Sequence, residues 1–475
     1  MEKLSRSLTG LMLAIFALLT GLAILLGTVG NLGHKSYLAA LLLSALLLGL
    51  WLLLGKRKPA VPSLAERVGA GKTCLALTAL CLVLSLAAAL PLRLEPEVDA
   101  YTYWITALAL SRGEPIPNPE FVAMFPHIMG YAAFLAPLLR LFGESLAVPV
   151  AANAVLGCLS GLCIFCLLLR WRDLRTAALG YLFWICCPSR LLFCAGVYAD
   201  AYYTCLLLLF LTLTAYADRV RLPLMLGMGA LGGLALRLMN TARPIGVIPM
   251  IALGIWILLL RGKKAKEPSG WLRWGAYLAL VLAVYLPLGG LWNGYLEDRI
   301  GQETASVPGY SICVGFNMDT MGSYSEEDIA RLHGIYWDTL SAEEAQQQML
   351  DQAAERVRQA DLGRLLPRKL ATLLGNDEAG AYYDAPALGD TAYRLACMIS
   401  NVYYYFLAGL ALLGAFRLWK RREQGSFLLT PLYAIGLILS QMLVEVAARY
   451  HYSIIPVFVL LAACAGRKTE KTSES

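Results

Sequence analysis

The sequence predicts an all-α polytopic membrane protein of about twelve transmembrane helices, with a juxtamembrane loop and a small helical region outside the membrane. Three observations lead there. Of 475 residues, 58% are hydrophobic and only 15% charged, and the mean hydropathy is +0.60, whereas soluble domains carry about a quarter charged residues. Apolar stretches long enough to cross a bilayer recur along the chain. Lys and Arg gather in alternate connections between them. The same figures exclude collagen-like, disordered and disulfide-scaffold classes.

The apolar runs place spans at approximately Leu8–Gly30, Tyr37–Leu54, Thr73–Leu92, Leu146–Leu169, Thr176–Phe193, Ala201–Tyr216, Leu222–Leu236, Ile245–Leu260, Trp271–Trp292, Tyr393–Phe416, Phe427–Val446 and Tyr452–Ala465. The first follows Lys3 and Arg6, has no small-residue cleavage site and leads into a second span, which is the pattern of an anchor rather than a signal peptide. Leu222–Leu236 and Ile245–Leu260 are short enough to form a tight hairpin.

With both termini in the cytoplasm, 24 of the 40 Lys/Arg and 8 acids fall inside, and 16 basic and 25 acidic residues fall outside. Inner clusters include Lys56-Arg57-Lys58, Arg170/Arg172/Arg175, Arg261/Lys263/Lys264/Lys266 and Lys420-Arg421-Arg422. The basic pI near 8.7 is therefore a topology signal and predicts no nucleic-acid partner. The organisation expected is two added N-terminal helices and a linker (1–72), a transmembrane core (73–292) holding a first external loop (93–145), an external region (293–392), and C-terminal helices with a cytoplasmic tail (393–475). Most of the twelve cysteines sit in or against apolar runs and none has metal-ligand spacing with histidine, so no chemistry is assigned to them.

In the external region, Ser341-Ala342-Glu343-Glu344 reads as a capping box opening a helix to about Gln359. Gly363–Leu374 reads as a second helix stopped by Gly375-Asn376. In the first loop, Pro96 breaks any helix, and an extended chain would point Glu95, Glu97 and Asp99 the same way. The amphipathic stretch Tyr101–Leu110 follows, then Gly113 and a turn with Pro115, Pro117 and Pro119.

Two readings fit Asp99: a partly desolvated carboxyl with a raised pKa acting as general base, or a solvated acid at a helix end. Arginines at the outer ends of spans run against topology rules, so Arg237, Arg243 and Arg449 need another reason. One is bidentate phosphate binding. Others are snorkelling, or a structural partner such as Glu445 one helical turn before Arg449. His127, Asp200 and His451 are candidates for the same external cavity or plain interfacial polar residues. No HExxH, P-loop or GxSxG motif is present.

The order of short motifs then resembles a family. The run is Asp99-x3-Tyr103-x3-Ala107-x5-Gly113, Pro126-x3-Gly130-Tyr131, Leu141-Phe142-Gly143, Thr241-Ala242-Arg243-Pro244-x-Gly246 and Glu445-x3-Arg449-Tyr450-His451-Tyr452, with Pro456. This succession, over about residues 73–465, resembles the GT-C glycosyltransferase superfamily. Within it the likeness is to bacterial family-39-type enzymes of the protein-O-mannosyltransferase and aminoarabinose-transferase kind. Val98-Asp99 stands where the family usually has two adjacent acids, and Asp200 where relatives often have Glu.

The resemblance implies transfer of a sugar from a polyprenyl-phosphate donor to a hydroxyl of an external protein, lipid or glycan, by single inverting displacement. It implies Asp99 as the catalytic base, with Glu97 and Asp200 as the alternative carboxylates for that role. Arg243, Arg449 and Arg237 would hold the donor phosphate, and Tyr103, His127, Glu445, Tyr450 and His451 would line the substrate cavity. No cofactor is required by this reading, and a divalent cation is an optional addition. The alternatives are a polysaccharide polymerase or ligase using polyprenyl diphosphates, and a flippase or transporter of lipid-linked sugars. A non-catalytic assembly protein is a third.

Overall fold

The structure, a computed structural model, describes residues 2–31, 35–54, 60–92, 94–261 and 268–465. The Lys56-Arg57-Lys58 cluster, Arg93, Lys263, Lys264, Lys266 and the C-terminal tail lie outside them. Among the described residues every regular element is helical.

Helices α1 (Glu2–Gly30) and α2 (Lys35–Leu54) precede a short α3 (Ala60–Val68) and α4 (Ala70–Ala89). Then come α5 (Val98–Arg112), α6 (Pro119–Met124) and α7 (Ile128–Phe142), followed by α8 (Ala147–Trp171), α9 (Leu174–Ile185), α10 (Pro188–Leu192), α11 (Asp200–Ala217), α12 (Leu222–Ala242), α13 (Val247–Ile255) and α14 (Pro268–Ile300). A second inter-span segment holds α15 (Gly309–Gly315), α16 (Glu326–Thr339), α17 (Ala342–Gln359) and α18 (Leu362–Leu374). The chain closes with α19 (Ala379–Arg421), α20 (Leu429–Leu443), a 3₁₀ helix (Ala448–Ile454) and α21 (Ile455–Ala463).

Nine of the described helices are long and apolar enough to cross a membrane, each at a position marked by the sequence. This is a multi-pass membrane protein. Leu18, Leu42 and Leu75 stand exposed on α1, α2 and α4, an arrangement suited to lipid.

The other three expected spans are broken. Cys187 is extended and Pro188 cannot continue the ladder, so Thr176–Phe193 divides into α9 and α10. The carbonyls freed at Trp184 and Ile185 are taken by fully buried Arg190, at 2.9 Å each. Ile245–Leu260 becomes α13 and one π turn, Trp256–Leu260. Tyr452–Ala465 begins as the 3₁₀ helix. The expected hairpin of Leu222–Leu236 with Ile245–Leu260 does not form: α12 packs on α11 and α14, and α13 packs on α20. α19 kinks at Gly389, whose φ of 69° only glycine adopts freely.

The two long inter-span segments share one face of the bundle. Ala305 N–H donates to the Ala123 carbonyl (2.9 Å), and Gln346 Nε2 donates to the Met124 carbonyl (3.0 Å). The Ser341 cap is as expected on one side, its Oγ accepting Glu344 N–H at 3.2 Å. The reciprocal bond is absent among the described contacts, because Ser341 N–H turns to Thr339 Oγ1.

Candidate functional site

Three breaks in helical structure meet on this face. The first is the start of α5. Residues 94–97 are non-helical, and the helix opens at Val98. The expected row of Glu95, Glu97 and Asp99 side chains is therefore lost, since Asp99 lies within the first helical turn. Val98 has a φ of 49°, a conformation unfavourable for a β-branched residue by about 1–2 kcal/mol. Its side chain is exposed, and the strain sits directly beside Asp99.

One turn on, Tyr103 is buried against Tyr131, edge to face at 5.6 Å. Tyr131 donates to Asn153 Oδ1 (3.0 Å), whose Nδ2 donates to the Gly196 carbonyl. This chain of contacts fixes α5 to α7 and α8.

The second break is the end of α12. Arg243 is extended (φ −148°, ψ 121°), and Pro244 prevents further helix. α7 begins immediately alongside, because a Cβ on Gly130 would lie 2.2 Å from the Thr241 carbonyl carbon. Only glycine permits that approach. It sets His127, just before α7, in the electrostatic company of Arg243, Asp99 and Arg449.

The third break follows α20. Val444 is extended, Glu445 N–H donates to the Ser311 carbonyl (2.7 Å), and Val446 N–H donates to the Gly322 carbonyl (2.8 Å). The 3₁₀ helix then presents Arg449 and Tyr450.

The Arg449 guanidinium donates to the Asp99 carboxylate across 350 residues of sequence. The arginine side chain is 13% exposed and the carboxylate 45%, so the cation is shielded while the acid can still reach a ligand. The Arg243 guanidinium carbon lies over the Tyr450 ring, 3.7 Å from its centroid. Arg449 stands 5.7 Å from the same ring and 5.5 Å from that of Tyr383. Tyr450 donates to Glu445 Oε1 at 3.4 Å. Asp200, 5% exposed in the first turn of α11, accepts from Tyr203 (2.7 Å) and is within electrostatic reach of both arginines.

Burial would raise the Asp99 carboxyl, but the Arg449 charge and hydrogen bond outweigh it and hold the group below the usual carboxylate range. Of the two sequence readings of Asp99, the raised carboxyl does not hold, because its ion-pair partner Arg449 was not visible in the sequence. Burial, then the Arg243 charge, pushes His127 down to about 4, so it is neutral at pH 7. Burial pushes the Glu445 carboxyl up, against the two arginines. Around Tyr450, then, two fixed cations face one carboxylate that is ionised and another biased toward its neutral form.

Not every candidate joins this cluster. Glu97 is exposed at the N-cap of α5 and makes no capping bond. Arg237 donates to the Gly289 carbonyl (3.1 Å) and lies over Tyr285, at the α12–α14 contact. His451 is 1% exposed and faces Asp377 Oδ1 at 3.2 Å and the Tyr404 ring, on the other side of the 3₁₀ helix from the arginines. The helical partnership of Arg449 with Glu445 is absent because residues 444–447 are extended. Two members had gone unmarked. Tyr383 is one of 24 tyrosines with nothing in the sequence to single it out. Lys369 is one of three basic residues in the amphipathic α18, beside Arg364 and Arg368, and nothing in the sequence sets it apart from them. Among the described residues no three His, Cys, Asp or Glu side chains converge as a metal-binding group.

The chain is similar to ArnT and AglB. ArnT from Cupriavidus metallidurans, solved bound to undecaprenyl phosphate, matches at 14% identity and a TM-score of 0.39, over 81% of this chain and 78% of ArnT. Its apo structure matches at 14% and 0.37, over 80% and 77%. The archaeal oligosaccharyltransferase AglB from Archaeoglobus fulgidus, solved with an inhibitory peptide and a dolichol-phosphate, matches at 13% and 0.46, over 82% of this chain and 50% of AglB. The chain thus spans about half the length of AglB. No protein-family model and no curated protein matches it.

Proposed function

We propose that this protein is a membrane glycosyltransferase that moves a sugar from a polyprenyl-phosphate donor to an acceptor hydroxyl on the outward face of the membrane, with inversion. One observation carries the reading: two shielded guanidinium groups, Arg243 and Arg449, flank Tyr450 and meet the accessible Asp99 carboxylate. The order of the motifs supports it, and the asymmetry of Lys and Arg between alternate connections supports an outward position for this face.

The donor phosphate takes the two arginines, which remain charged at any working pH. As phosphate engages Arg449 it competes with Asp99 for the guanidinium and frees the carboxylate. The acceptor oxygen attacks the anomeric carbon, and its proton passes to Asp99. The bond from that carbon to the phosphate oxygen breaks with its electron pair leaving on phosphate, where Arg243 and Arg449 stabilise the added charge. Phosphate leaves readily, so no second acid is needed to protonate it. Neutral His127 can donate a hydrogen bond to a phosphate oxygen without adding charge. Asp200 and Glu445 hold the field around the arginines, and no role is assigned to a divalent cation.

Transfer from a radiolabelled polyprenyl-phosphate monosaccharide into acceptor, in membranes containing the protein, is the test. Asp99→Asn should lower turnover by about 10²–10⁴-fold at unchanged protein level. Arg243→Ala should lower it by about 10²–10³-fold. Failure of the wild type to consume donor across several sugars would count against the enzyme and for a transport role.

A further inference from the structure

The cluster depends on the loop 444–450 standing where it does, and one side chain from the second inter-span segment holds that loop. Lys369, on α18, is fully buried. Its Nζ donates to three backbone carbonyls: Val444 at 2.7 Å, Gly315 at 2.8 Å and Met442 at 3.0 Å. Two of these lie at the C-terminal end of α20, where helix carbonyls have no intrahelical donor and where a cation is favoured by the helix dipole. A lysine from a distant helix thus caps α20 at the point where the chain turns extended toward Glu445.

The surroundings are shaped around this ammonium. A Cβ on Gly315 would come within 2.6 Å of the Val444 backbone. A Cβ on Gly322, whose φ of +77° already favours glycine, would come within 2.8 Å of Lys369 Cδ. The same two stretches bond directly to the loop, through Ser311 to Glu445 and through Gly322 to Val446. The Phe316 ring covers the ammonium at 5.5 Å.

We propose that Lys369 is a positioning residue for the phosphate site: it caps α20, fixes the path of residues 444–450, and so sets Arg449 and Glu445 against Asp99 and Arg243. This rests on the transferase reading for its kinetic consequence, but the geometry stands without it. All three carbonyls are served only by the charged amine, because a neutral amine has two N–H bonds. Burial pushes Lys369 down to about 8. The ionisable group facing it is Glu445 on the loop, with Arg449 beyond. α15 and α20 present backbone carbonyls, and Phe316, directly after α15, adds its ring. The loop therefore loosens as pH rises through about 8.

The experiment uses the full chain in lipid nanodiscs, comparing wild type, Lys369→Met and Lys369→Arg. In Lys369→Met the donor KM should rise about tenfold with a smaller change in kcat, while the alkaline fall in activity above about pH 8 disappears. Lys369→Arg, if it folds, should recover the donor KM and stay flat above pH 8. Hydrogen-exchange protection of the Glu445 and Val446 amides is the second readout. It should drop at least tenfold in Lys369→Met, and in wild type on passing from pH 7 to pH 9. An unchanged KM, an alkaline limb retained in Lys369→Met, or equal loop protection in folded protein overturns the proposal. If wild type transfers no sugar, the transferase reading fails alone, and loop protection still decides the role of Lys369.

Discussion

At the scale of single residues, the ion pair between Asp99 and Arg449 decides how the proposed base behaves. Asp99 sits low because Arg449 is bonded to it. Activity that requires the ionised carboxylate should persist to low pH and fall as pH drops through that depressed value. Removing the guanidinium in Arg449→Gln should move the acidic limb of the pH–rate profile upward, by about one unit or more. Peak turnover should also fall, because one of the two proposed phosphate-binding arginines is lost. A profile of unchanged acidic limb would show that another group is the base, with Asp200 the first to examine. His127 behaves oppositely to a free histidine. Held down at about 4 by burial and Arg243, it should contribute no titration between pH 6 and 8, and His127→Gln should leave the shape of the profile in that range unchanged.

At the scale of elements, close approaches and caps place the three breaks. Gly130 lets α7 touch the end of α12, and Gly130→Ala forces those backbones apart. Displacing Arg243 by about 1 Å is expected to cost about 10²-fold in transfer, with the protein still folded by size-exclusion chromatography. In the second segment, Asp328 is fully buried and bonded twice by Arg356, at 2.8 Å each. Burial raises its carboxyl, but the Arg356 bonds win and hold it low. That bond contributes stability above the ordinary carboxylate pKa and loses it as pH falls through the depressed one. Arg356→Ala leaves the buried Asp328 carboxylate without a counter-charge, with only neutral partners such as Asn317 Nδ2 (2.8 Å), and should destabilise this segment by about 3–5 kcal/mol at pH 7, with the gap from wild type closing in acid. A thermal melt across pH 3–7 measures both.

At the scale of the whole molecule, the N-terminal pair is built into the fold. α2 packs along α19, and α1 crosses α18 where a Cβ on Gly27 would lie 2.5 Å from the Gly375 Cα. Gly27→Leu should therefore lower thermal stability, by about 1–3 kcal/mol, through overpacking at this crossing. A melt unchanged from wild type would mean that α1 rides loosely on the bundle. Both long inter-span segments and all three breaks lie on one face, so the second segment covers the cluster and also bonds to the loop that supplies Arg449.

Read alone, the sequence determined the class of protein, nine spans, the break at Pro96 and the helices opening after Ser341 and near Gly363. Each follows from local composition, period or cap, which adjacent residues decide among themselves. It also marked Asp99, Arg243 and Arg449, because a charge at the end of an apolar run stands out against its neighbours. Tertiary structure alone decided the rest. It joined Asp99 to Arg449, turned His451 to Asp377 and left Arg237 on Gly289. It also broke three spans and gave Lys369 its place. These are pairings between residues far apart in the chain, governed by which carbonyls a helix end leaves without donors and which backbones glycine allows to touch. No local pattern encodes either until the helices are packed.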